Sequence, residues 1–202
     1  MTSQYVICPY NQVKEYFPEY QRMMSSLHNG LVAKATADWS PKQFGGMAPN
    51  SAQFGESTII PGLFRNDAQT ALNTTTPMTT WQQWLGTTGN RVIMSGANTG
   101  NIYEDYKIGL AGFAFLEKSI NISEIKFQIS DRKIGRINIE EAFAYENPAI
   151  IFEDGIILDE ESGFDLYAYV LSTGYQKICP IGFQLNRVPN KLMTSNTGAA
   201  LT

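Results

Sequence analysis

The sequence predicts an all-β fold, and three observations carry that expectation. Phe164, Leu166, Ala168 and Val170 alternate with Tyr167, Tyr169 and Leu171, and apolar side chains on both faces of such a strand ask for cover on both. A second alternation sets Ile125, Phe127 and Ile129 against Glu124, Lys126 and Gln128. Gly, Asn and Thr punctuate short runs of Ile, Tyr and Phe, as turn formers do between strands. With 202 residues, the chain is long enough for one domain with a real core.

In chain order, Tyr5 to Cys8 is an apolar run stopped by Pro9. Asn11 then caps a helix in which Val13, Tyr16, Phe17, Tyr20, Met23, Met24 and Leu27 recur near helical spacing. Pro18 breaks or kinks it, because proline removes a hydrogen bond and crowds the preceding turn, and Asn29-Gly30 is the expected stop. Residues 1–30 are read as an N-terminal arm whose Tyr16, Tyr20 and Met24 pack on a neighbouring subunit or on the chain's own core. Leu31 to Ala37 is expected as a strand, opening a β domain over residues 31–188 with long loops in 38–102. Trp39, Phe44, Met47 and Phe54 in the first loop argue against free disorder, so they seek a surface, their own or a partner's.

Ser57 to Arg65 has strand character interrupted at Pro61-Gly62. Thr76 as cap and Pro77 at the first helical position predict a short helix through Met78, Trp81, Trp84 and Leu85, stopped by Gly86. On a helix Trp81 and Trp84 share a face, either a ligand platform for carbohydrate or a core anchor. Met78 and Leu85 extend the same side and favour the core. Arg91 to Met94 reads as a short strand, and from Lys42 to Asn101 charge is scarce, a composition suited to an interface or to plain loops. Gly109 and Gly112 mark a bulge or a close backbone approach. Asp131 to Gly135 is the expected turn before Arg136 to Glu140, and Asp154-Gly155 that of a hairpin within residues 148–159. Thr173-Gly174 joins the Phe164 strand to one running through Phe183, and residues 189–202 form a tail with little to bury. About eight strands result. Packing them as two sheets gives a jelly-roll-like β-sandwich with a short N-terminal helical arm and one short helix in the first half.

The same residues exclude much chemistry. His28 is the lone histidine, so neither a His-based metal site nor a His-dependent nucleophile has the residues it needs, and it is read as a donor at the helix end. Adjacent acids such as Glu140/Glu141 and Glu160/Glu161 point to opposite faces of a strand and make no glycosidase dyad. Cys8 and Cys179 are read as two buried thiols rather than a disulfide. No enzyme is expected, and no cofactor, with calcium as the one open case. Nine acids and no Lys or Arg lie between Ile137 and Gln176, and Asp159, Glu161 and Asp165 among them are either a Ca²⁺ loop or solvated turns. The net charge of −4 gives no reason to expect nucleic acid. Neither a secretory leader nor a membrane span is visible, which points to synthesis in the cytoplasm.

Strand-rich, with charge-poor loops, an N-terminal arm and no catalytic set, the chain resembles single jelly-roll viral capsid proteins over most of residues 31–188. That resemblance implies a virion subunit that assembles with copies of itself and with other virion proteins through its arms and long loops. The absence of a basic N-terminal tail departs from one common pattern and speaks against direct genome binding. A non-catalytic binding module, lectin-like or receptor-binding, is the alternative.

Overall fold

The computed structural model describes residues 4–43, 54–66, 77–117 and 120–187. Within them the chain forms β1 (Tyr5–Pro9), α1 (Val13–Tyr16), α2 (Tyr20–Gln43), β2 (Phe54–Thr58), β3 (Phe64–Arg65), β4 (Gln82–Leu85), β5 (Gly89–Gly96), β6 (Tyr106–Phe115), β7 (Ile122–Ile129), β8 (Arg132–Asn138), β9 (Pro148–Leu158), β10 (Phe164–Val170) and β11 (Gly174–Arg187). The strands make an all-β sandwich of two antiparallel sheets. One has the order β1-β9-β6-β11-β2, with β4 also paired to β11, and the other β3-β5-β10-β7-β8.

The pairing is nested. Leaving aside β1, β3 and β4, the first remaining strand pairs with the last (β2 with β11), the second with the seventh (β5 with β10), the third with the sixth (β6 with β9) and the fourth with the fifth (β7 with β8). The contacts of β11 with β6 and of β10 with β7 then knit each sheet. Between the sheets, Phe127 of β7 meets Phe152 of β9 and Phe113 of β6 at ring-centroid distances of 5.2 and 6.3 Å, so an aromatic cluster ties the two layers together.

The helix α2 covers the outer face of the first sheet. Met23, Leu27, Leu31, Ala35 and Trp39, four apart along one stripe, are all buried. The expected strand at Leu31 to Ala37 is therefore helical. Its alanines favour helix, and Leu31, Ala35 and Trp39 continue the stripe begun at Met23. Asn29-Gly30 does not end the helix, because Gly30 lies inside it with Ile157 beside it. Pro18 does interrupt the chain. Phe17 is extended (φ −132°, ψ 84°), as a residue before proline prefers, and α1 and α2 are separate pieces. Under the helix, a Cβ on Gly155 (φ +66°) would stand 2.9 Å from Leu27, so that glycine allows the helix to seat.

Other expectations change. No helix occupies residues 77–85. Thr76 lies outside the described residues, and 82–85 form β4 with Gln83 and Leu85 buried, because pairing with β11 outweighs the local cap signal. Asp154-Gly155 is not a hairpin turn but part of a bulge within β9, where Leu110 pairs with Ile156 and Gly112 with Ile151. Gly112 is indeed a point of close approach, since its Cβ would lie 2.0 Å from the Ile150 carbonyl oxygen. Gly135 stands inside β8, and the turn there is Ser130-Asp131. The strands flanking Thr173-Gly174 are not neighbours, because β10 lies in the second sheet and β11 in the first. Nor is β10 covered on both faces. Tyr167 is half-buried and Tyr169 is exposed, whereas β6 is buried almost throughout.

Candidate functional site

Polar chemistry gathers most densely where α2 crosses β6 and β9. Lys107 on β6 is only 1% exposed. Its Nζ donates to Asp38 Oδ2 (2.7 Å) and Asp159 Oδ1 (2.9 Å), with Glu160 Oε1 at 4.0 Å. The Lys34 Nζ donates to the other oxygen of Asp159 at 2.9 Å, and the Trp39 Nε1–H donates to Glu160 Oε2 at 2.8 Å. The Lys107 ammonium lies 5.5 Å from the Trp39 ring centroid, and Phe54 meets that ring edge-on at 5.5 Å. For Asp159, burial pushes the carboxyl up, but the hydrogen bonds from Lys107 and Lys34 outweigh it and hold it below the usual range. Every oxygen of Asp159 faces a lysine, so the cluster is a latch that fixes the helix on the sheet, without an open coordination position or a nucleophile.

This geometry places the sequence-predicted residues. Trp39 and Phe54 are buried against the chain itself. Tyr20 and Met24 are half-buried against the apolar cluster under the helix, and Tyr16 is 46% exposed with its ring 6.0 Å from that of Tyr145. Phe44 lies outside the described residues. Trp81 packs on Phe64 at the core (5.9 Å), whereas Trp84 points outward onto Tyr175 (4.8 Å). They do not form one platform, because residues three apart on an extended chain face opposite ways.

Asp159 is taken by lysines, Glu161 is exposed, and Asp165 stands on the outer face of β10, so the three do not converge on a cation. Among the described residues no group of three or more His, Cys, Asp or Glu stands where it could hold a metal ion. His28 is mid-helix rather than at a helix end, with its Nε2 3.0 Å from Glu56 Oε1. Cys8 and Cys179 are free thiols, pushed up by burial. Cys8 pairs with Ala149, Ala149 with Ala114 and Ala114 with Cys179. Three strand spacings, roughly 14 Å, thus separate the thiols, too far for a disulfide.

A second feature was not visible before the topology. Connections from β1 to α1, β4 to β5, β6 to β7, β8 to β9 and β10 to β11 all emerge at one end of the sandwich, as the registers Ala114–Ala149, Ile122–Val170, Gly89–Val170 and Leu85–Gly174 require. Tyr10, Tyr16, Leu116, Phe143, Tyr169, Leu171 and Tyr175 cluster there, each between 37% and 58% exposed. Tyr10 and Leu116 line one depression, and the Trp84–Tyr175 pair stands beside the β10–β11 turn. Each apolar residue borders a turn, the one sequence signal that could have found this end. Lys107 had a clearer signal, a single charge in an otherwise apolar strand, which must find partners.

Compared with known proteins, the chain matches no family model, no curated protein and no solved structure.

Proposed function

We propose that the nested pairing is a jelly roll and that the chain is a structural, self-assembling subunit of a viral shell. The observation that carries the reading is the aromatic and aliphatic end of the sandwich. Seven large side chains from several loops and element ends stay in water there, although the chain buries a large apolar core between its sheets. Eight strands paired first-to-last in two sheets gather several loops at one end, and jelly rolls of this kind build viral capsid subunits. The partners of this reading are copies of the chain and other virion proteins, and its location is the virion.

Light scattering and electron microscopy of the purified protein at rising concentration test the reading. Multi-copy particles or sheets are expected, and Leu171→Asp with Tyr175→Asp should reduce them while leaving the fold intact. A monodisperse monomer at high concentration would overturn it.

A further inference from the structure

Among the described residues nothing covers the outer face of the second sheet, and one place on it has the make-up of a binding site. Register aligns Tyr167 of β10, Lys126 of β7 and Arg136 of β8 in one row across three strands, with Asp165, Gln128 and Lys133 in the neighbouring row. Between Lys126/Phe127 on one side and Arg136/Ile134 on the other the register shifts, and Gly135 (φ +72°) is the extra residue. That bulge opens a depression of about 440 Å³ with Phe127 as part of its lining and Lys126, Lys133, Arg136, Gln128 and Tyr167 around it.

Directly opposed like charges on adjacent strands are unfavourable. Lys126 and Arg136 nevertheless face each other, with Lys133 as a third cation at the rim. Two neighbours moderate them: the Arg136 Nε contacts Glu124, and the Lys126 Nζ lies 4.9 Å from the Tyr167 ring centroid. Glu124 and Asp165 against these three cations leave the depression with a local excess of one positive charge, in a chain of net charge −4. Glu124 stands in the row beyond Lys126 and Asp165 at the far end of the Gln128–Lys133 row, so a run of phosphates along the sheet would meet carboxylates on both sides. One anionic group fits where a polyanion does not.

We propose that this depression binds a small ligand carrying one anionic group, a carboxylate, sulfate or phosphate, on a ring with a flat face. The anion sits among Lys126, Lys133 and Arg136, the ring packs along the Tyr167 wall, and the Gln128 amide takes a ring hydroxyl. An acidic sugar and a nucleoside monophosphate share this chemistry. The site stands apart from the apolar end and does not depend on assembly.

Calorimetric titration of the full chain tests it, with glucuronic acid, galactose 6-sulfate and uridine 5′-monophosphate as probes and glucose and uridine as uncharged controls. Saturable binding of a charged probe, absent for its uncharged control, is expected. The sugar acids or the nucleotide, whichever binds, names the source. Lys133→Glu, at an exposed position, should weaken binding about tenfold or more, and Lys126→Gln should weaken it independently. No saturable binding of any of the three below about 10 mM overturns the proposal. So does equal binding by both variants, or binding of heparin and poly-uridine alone.

Discussion

The two sheets are built from similar strands but differ on their outer faces, and the difference shows what each face is for. The first carries α2, and on its side of β6 stand Lys107, Gly109, Ala111 and Ala114, small residues except for the latched lysine. Among the described residues nothing packs on the second, and β10 shows half-buried or exposed Asp165, Tyr167 and Tyr169 there. Small residues let a helix approach, whereas large amphipathic ones tolerate water. Truncating one residue on each face should expose the contrast most strongly. Leu31→Ala, fully buried between helix and sheet, is expected to cost about 2–5 kcal/mol, while Tyr169→Ala on the open face should stay within about 0.5 kcal/mol. Urea denaturation of both variants checks it, and equal losses would mean that the helix contributes no more than the solvent does.

Each outer face also carries a lysine against an aromatic ring, Lys107 with Trp39 and Lys126 with Tyr167. Lys107 is buried and its partners are only partly exposed, so removing its charge leaves Asp38 and Asp159 facing each other across the gap it occupied. Lys107→Met should therefore cost roughly 2–3 kcal/mol, less than for a fully buried pair because both carboxylates reach water. Lys126→Met should be nearly neutral in the same urea series. A neutral Lys107→Met would show that the latch adds nothing to apolar packing of the helix.

How much of this was legible follows from the same contrast. The wet face of β7 was readable because it imposes period two, whereas Tyr167 and Tyr169 made the wet face of β10 look apolar and covered. The helix that covers the first sheet was not readable, because a stop signal at Asn29-Gly30 divided it and the stripe from Met23 to Trp39 overrides that signal. Local signals located turns well but not their destinations. Thr173-Gly174 turns the chain as expected, yet carries it from one sheet to the other. Asp154-Gly155 looks like a hairpin turn and is absorbed as a bulge. The apolar end and the cationic depression combine residues from several strands or loops, so only the pairing brings them together.

The smallest expected effect separates the faces by pH. The Asp159 carboxyl is pushed up by burial but held down more strongly by hydrogen bonds from Lys107 and Lys34, so its value in the folded protein lies below the 3.8 of an unperturbed aspartate. The unfolded chain then binds the proton more readily. The stability that Asp159 contributes is present in full above the unfolded value and is lost as pH falls through the folded one. Lys34 behaves in the opposite sense. Its ammonium is raised above 10.5 chiefly by the hydrogen bond to Asp159, so its contribution holds below that value and disappears as pH rises through the folded one. Asp159→Asn should thus lower the urea midpoint at neutral pH, and the gap from the native chain should close below about pH 3.8. Lys126→Met, altering only the open face, should follow the native chain's acid profile throughout. If the Asp159→Asn gap instead stays constant down to pH 2, packing rather than charge holds the helix end, and the two faces differ only in what they bury.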